Sequence, residues 1–159
     1  MLSIRFGTVD DVSLLRTLIR ELADFEHELD QVLITEADLA RDGFGPQPKF
    51  RVLFAEWDGQ PAGYALFFDF YSTWRGRQTF LEDLFVRPQF RSREIGKSLL
   101  ATVAGIATQE GCHALRWEVL DWNHAAVEFY KSLGAEFLDG WRLTLLKDEK
   151  LQHLAERSR

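Results

Sequence analysis

Three groups of residues in this chain have types and spacings that could do chemistry. The first is the run Val86-Arg87-Pro88-Gln89-Phe90-Arg91-Ser92-Arg93-Glu94-Ile95-Gly96-Lys97. It reads as a strand end, a short basic loop and the first turn of a helix. A helix N-terminus presents unpaired N–H groups and the positive end of the helix dipole, both suited to phosphate. Arg87, Arg91, Arg93 and Lys97 concentrate positive charge there, and Gly96 permits close backbone approach. A solvated basic loop ahead of an amphipathic helix explains the same residues equally well. The second group is Glu82-Asp83. Neighbours on a regular strand point to opposite faces, so one carboxylate meets the core or a cleft. An edge strand with one buried, paired carboxylate is the plain reading. The third is Tyr130, on an apolar helical stripe where a core tyrosine is the default.

The bulk properties narrow the classes. A length of 159 residues fits one domain over residues 1–159. With 46% apolar residues, including 13 Phe and 5 Trp, the chain is rich enough to pack a core rather than stay disordered. A net charge of −6 disfavours nucleic acid and anionic lipid and favours a cationic small molecule. No apolar run reaches the length of a membrane span, and the N-terminus lacks the pattern of a signal peptide. The single cysteine, Cys112, allows no intrachain disulfide and fits a reducing, cytoplasmic setting. His27, His113, His124 and His153 show no metal-ligand spacing, so no metal is expected.

The elements that must hold these groups follow from periodicity. Ser3–Phe6 reads as a short strand. Thr8 and Asp11 form a capping signal for a helix carrying Leu15, Leu18, Ile19 and Leu22 on one face. Thr35 and Asp38 repeat the signal for a short helix over Ala37–Arg41, ended by Asp42-Gly43. Strands are expected at Phe50–Trp57, Gly63–Tyr71 and Gln78–Val86, the first two joined by an Asp58-Gly59 hairpin turn. Ile95, Leu99, Val103 and Ala107 then mark a helix closed by Gly111. A strand over Ala114–Leu120 follows, and then a helix capped by Asn123 and ended by Gly134. A last strand over Trp141–Leu146 and a helix over Asp148–Glu156 complete the chain. The order implies an α+β domain with a mixed, mostly antiparallel central sheet and flanking helices.

The loop from Arg91 to Gly96 resembles the acetyl-CoA pyrophosphate loop of the GNAT superfamily of N-acetyltransferases, Arg/Gln-x-x-Gly-x-Gly/Ala. Glu94 stands where that pattern has its first glycine. Further segments resemble the diamine (spermidine/spermine) acetyltransferase branch, and within it the thialysine-acetylating members. They include Arg20-Glu21-Leu22-Ala23, Tyr71-Ser72-Thr73-Trp74-Arg75-Gly76-Arg77, Leu81-Glu82-Asp83, Leu120-Asp121-Trp122-Asn123 and Phe129-Tyr130-Lys131. The resemblance implies the GNAT fold, acetyl-CoA as co-substrate, a small primary amine as acceptor and a homodimer. It makes Tyr130 the general acid for the departing thiolate and Glu82 the acceptor of the amine's proton. It places the cofactor on Leu84, Phe85 and Val86, on Arg91, Ser92, Arg93, Glu94, Ile95, Gly96 and Lys97, and on Asn123 and Ala126. Asn123 as a plain helix cap is compatible with that. Substrate contacts fall on Phe25, Glu26, Trp74, Glu82, Asp83, Arg116, Trp117, Glu118 and Asp139. Ser72-Thr73-Trp74 replaces the Asp-Pro-Trp of spermidine-acetylating relatives, which points to a shorter diamine or a thialysine-like amino acid. A protein lysine or N-terminal acetyltransferase and a non-catalytic CoA sensor are the alternatives.

Overall fold

The chain opens with β1 (Leu2–Phe6), and a capping box then starts the first helical segment. The Thr8 amide donates to the Asp11 carboxylate at 2.8 Å, and one 3₁₀ turn leads into α1 (Val12–Phe25). α2 (Glu36–Phe44) begins in the same way at Thr35, whose hydroxyl accepts from the Asp38 amide at 3.1 Å. It does not end at Asp42-Gly43. A Cβ on Gly43 would lie 2.4 Å from the Phe50 ring, so this glycine admits the ring rather than stopping the helix. The chain leaves the helix at Gly45.

A meander follows: β2 (Arg51–Trp57), β3 (Gln60–Ser72) and β4 (Gly76–Val86), all antiparallel. The β2–β3 turn holds Asp58 at φ 50° and Gly59 at φ 77°, the left-handed pair that a tight hairpin needs. After α3 (Ile95–Gln109), β5 (Leu115–Trp117) pairs parallel with β4. The computed structural model describes residues 1–158, and its five-stranded sheet has the order β1-β2-β3-β4-β5. The sheet is therefore mixed and mostly antiparallel, as the sequence implies.

On one face, Val52, Phe54, Tyr64, Leu66 and Phe85 pack with Val12, Leu15 and Leu18 of α1 and Leu39 of α2. On the other, α3 buries Ile95, Leu99, Val103 and Ala107 as it packs on β3 and β4. Each such side chain contributes about 1.5–3 kcal/mol when fully buried.

The chain divides into two compact units, Met1–Glu118 and a second beginning at Val119. In the second, Asn123 caps α4 (His124–Ser132) by accepting from the Ala126 amide at 3.3 Å, and Gly134 follows it at φ 82°. α5 (Asp148–Ala155) comes last. Two expected strands differ. Ala114–Leu120 shortens to Leu115–Trp117, because its ladder to β4 stops at Leu81. Trp141–Leu146 is irregular, because no strand within the described residues pairs with it. Among the described residues no helix is long and apolar enough to cross a membrane.

Candidate active site

The site is organised by one irregularity in β4. Leu81 stands opposite Phe67 and Asp83 stands opposite Leu66, so Glu82 is an extra residue, a β-bulge. Leu66 belongs to the core beneath α1 and α2. The bulge therefore shifts the register and brings Asp83 and Phe85 to that face. Strict alternation fails here, because Leu81 and Asp83, two residues apart, stand opposite the neighbours Phe67 and Leu66. The ladder to β5 runs only through Thr79–Leu115, Phe80–Arg116 and Leu81–Trp117. From Glu82 to Val86 the β4 edge turned toward β5 carries no ladder. Among the described residues its backbone groups, apart from the Val86 carbonyl that accepts from Arg91, pair with no strand there and suit an extended, amide-bearing ligand.

Around the bulge the carboxyl groups crowd together. Asp83 Oδ2 accepts from the Tyr64 hydroxyl at 2.8 Å. Burial pushes Asp83 up from the usual 3.8 to about 6; the Tyr64 bond opposes this and the Glu26 charge adds to it. Glu82 is raised by burial first, then by the charges of Asp83 and Glu118. It still reaches solvent, and protein around its carboxyl removes part of its water. Glu26, in the turn after α1, is raised by burial and by Glu28 and Glu82. The charges acting on Glu26, Glu82 and Asp83 are all negative. A carboxylate held above its ordinary proton affinity accepts a proton more readily, and a negative pocket attracts an ammonium group.

The basic loop lies at the end of the same strand. Arg91 Nε donates to the Val86 carbonyl at 3.1 Å, and its guanidinium lies 4.9 Å from the Phe25 ring centroid. Phe25, Phe85, Arg87 and Arg91 line a cleft of about 590 Å³ with Glu21 and Asp24. Arg93 lies over Trp57 at 4.9 Å. Glu94 occupies the N-cap of α3 in the left-handed region at φ 61°, and its side chain caps nothing. Among the described residues, the first-turn N–H groups of α3 thus have no side-chain acceptor. Lys97 reaches back to Glu94 at 3.3 Å. These features fit a pyrophosphate: open helix amides flanked by Arg91, Arg93 and Lys97, with Gly96 meeting only Val86 Cγ2 at 3.6 Å were it to carry a Cβ. Arg87 does not join them. It forks onto Glu21 at 2.8 and 2.7 Å and onto the Pro61 carbonyl at 3.0 Å, tying α1 to the sheet.

Of the other expected residues, Trp117 pairs beside Leu81 and Glu118 acts on Glu82, so both join the bulge. Arg116 stacks over Phe70 at 5.3 Å. Trp74, 83% exposed, sits at the tip of the β3–β4 hairpin. From Gly76 to Glu82 along β4 is about 20 Å at ~3.3 Å per residue, so Trp74 does not reach the bulge within this chain. Asn123, Ala126, Tyr130 and Asp139 belong to the second unit. There Tyr130 is 8% exposed, and burial raises its phenol above 10.0. Sequence reasoning missed Tyr64. A buried strand tyrosine needs a hydroxyl partner, which was the available signal, but the partner depends on the bulge.

A family model described as "Acetyltransferase (GNAT) family" matches residues 14–135. The chain is 41% identical over 163 residues to the thialysine N-epsilon-acetyltransferase of Bos taurus, covering 96% of each. It is 35% identical to the spermidine/spermine N(1)-acetyltransferase-like protein 1 of Homo sapiens, covering 96% of this chain and 23% of that one. An integron cassette protein from the mobile metagenome of V. cholerae shares the fold, with a TM-score of 0.81 at 24% identity over 98% of each chain. With the open β4 edge and the uncapped α3 loop already in view, these matches show that the chain belongs to the GNAT family and is an acetyl-CoA-dependent N-acetyltransferase.

Proposed function

We propose that this enzyme acetylates the primary amine of a small cationic substrate, a diamine, polyamine or thialysine-like amino acid, by direct attack within a ternary complex. The observation that carries this is the all-negative neighbourhood of Glu82, at the point where the β4 edge loses its ladder. The thialysine N-epsilon-acetyltransferase of Bos taurus gives the reading its substrate class by likeness.

When bound, acetyl-CoA supplies the thioester carbonyl that the amine attacks and a thiol that leaves. The pantetheine amides are proposed to pair with backbone groups of Leu84, Phe85 and Val86. Its phosphates are assigned to the α3 first turn and to Arg91, Ser92, Arg93 and Lys97. Asn123 and Ala126 are further cofactor contacts carried over from the resemblance. Glu26, Asp83 and Glu118 hold the ammonium, with Phe25 and Trp117 giving apolar walls. Glu82 takes one proton from the ammonium, directly or through water, so that the neutral nitrogen attacks; the nitrogen's second proton leaves as the intermediate collapses and replaces the one Tyr130 gives up. β4 amides stabilise the charge that develops on the carbonyl oxygen. Tyr130 gives its proton to the departing sulfur; its raised affinity for that proton keeps the phenol in the donor form at neutral pH. Cys112 is not assigned a role. It follows α3 at the end away from the loop, about 22 Å along the helix, and accepts from Thr79 at 3.5 Å.

The same reading includes a single domain over residues 1–159, a cytoplasmic setting and a homodimer. The exposed alternation of Trp141 (70%), Leu143 (82%) and Leu145 (74%) supports the homodimer. The function is tested by mixing the protein with acetyl-CoA and thialysine, ornithine, diaminopropane, spermidine or a lysine peptide, and following free thiol. Release with the small cations, with intersecting initial-rate lines, is expected. Release with the peptide alone, or with no amine, would overturn the reading.

A further inference from the structure

The Tyr64–Asp83 hydrogen bond has no place in the chemistry above, yet it lies against the residue that takes the proton. Tyr64 is on β3 opposite Phe85 and is 0% exposed. Its ring meets Phe85 edge-on, with centroids 6.4 Å apart and planes at 63°. A phenol enclosed in this way cannot turn to solvent, so its hydroxyl must find a partner inside. The bulge at Glu82 supplies one by swinging Asp83 onto the Tyr64 face. Only Oδ2 of Asp83 takes that bond. Among the described residues Oδ1 accepts nothing, and it is not among the sealed, unpartnered side-chain atoms, of which Gln78 Oε1 is the one example. Oδ1 therefore keeps some access to solvent.

We propose that Tyr64 is a positioning residue of the amine site: its buried hydroxyl fixes the Asp83 carboxylate through Oδ2 and leaves Oδ1 for the incoming ammonium, alongside Glu26, Glu82 and Glu118. The inference deepens the amine-acetylating reading and rests on it. The groups facing Asp83 are Tyr64 from β3, Glu82 on its own strand and Glu26 from the turn after α1, with Glu118 beyond β5 acting on Glu82. None is a cation. Burial raises the proton affinity of Asp83, and the phenol hydrogen bond opposes that. Tyr64 thus favours the charged form of the carboxylate it holds. Asp83 orients and attracts, and Glu82 does the proton chemistry.

The test is the pH dependence of amine acetylation in Tyr64→Phe, Asp83→Asn and the double variant. Tyr64→Phe keeps the ring and removes the donor, so the proton affinity of Asp83 rises. The acidic limb of kcat/KM for the amine should move up by about one pH unit, on the scale of a hydrogen bond to a charged group. The ratio of variant to wild type should fall about 2-fold at pH 7 and approach about 10-fold below pH 6, carried by KM for the amine with kcat nearly unchanged, and it should recover toward one by pH 9. Asp83→Asn still accepts from Tyr64 but carries no charge, so its KM should be raised at every pH without recovery. The double variant should be no worse than Asp83→Asn. This cycle keeps the test valid even if Tyr64→Phe loses some stability, because a packing defect would add to Asp83→Asn. A pH-independent Tyr64→Phe ratio, or additive losses in the double variant, would overturn the inference alone. A wild-type protein that turned over no amine would sink the acetyltransfer reading and this inference together.

Discussion

Two tyrosines in this chain are buried, and burial has different consequences for each. Tyr64 is enclosed against a carboxylate and acts as a fixed donor. Tyr130 carries a phenol that burial raises, which fits the proton donor proposed for the departing thiolate. Tyr130→Phe keeps the ring, including its contact with Phe129 at 5.3 Å. Its melting temperature and acetyl-CoA affinity should stay near wild type, while turnover falls by about 10²-fold or more. Lost stability with unchanged turnover per folded molecule would make Tyr130 a core residue only. The sequence marked Glu82, Asp83 and Tyr130 as chemically able, because residue type is local information. It did not mark Tyr64, because the partner of its hydroxyl depends on a bulge, and a bulge is set by the register of two strands, which no local pattern encodes.

At the level of elements, the capping boxes at Thr8 and Thr35, the Asp58-Gly59 turn and the Asn123 cap were legible because each is a short-range hydrogen-bond or dihedral requirement. The end of α2 was misread because Gly43 answers to the Phe50 ring, a contact between elements. The β4–α3 loop is the element with a stored cost. Glu94 sits at φ 61°, where a side chain costs about 1 kcal/mol and the glycine of the family pattern costs little. Its exposed pair with Lys97 returns little of that. Glu94→Gly should therefore raise the melting temperature by about 2–4 °C. It also removes a negative charge from the pyrophosphate loop and frees Lys97, so calorimetry should show acetyl-CoA binding at least as tight as in wild type. A lower melting temperature together with weaker binding would show that Glu94 supports the loop instead.

For the whole molecule, the charge balance and the site agree. A chain of net charge −6 gathers Glu26, Glu82, Asp83 and Glu118 around the β4 bulge and keeps Arg91, Arg93 and Lys97 for the loop at the end of β4. The irregular Trp141–Leu146 stretch was misread because a strand exists only with a partner, and the described chain gives it none. The proposed homodimer would cover its exposed apolar residues. Light scattering at micromolar concentration should return the dimer mass, and a monomer mass would contradict that part of the account. The central claim is that amine acetylation happens at the Glu82 bulge. Its most direct test is kcat/KM for the preferred small amine in wild type and Glu82→Gln, measured beside the acetyl-CoA dissociation constant of each. The account predicts a loss of about 10²-fold or more in kcat/KM with acetyl-CoA binding unchanged. Wild-type turnover in Glu82→Gln would contradict it.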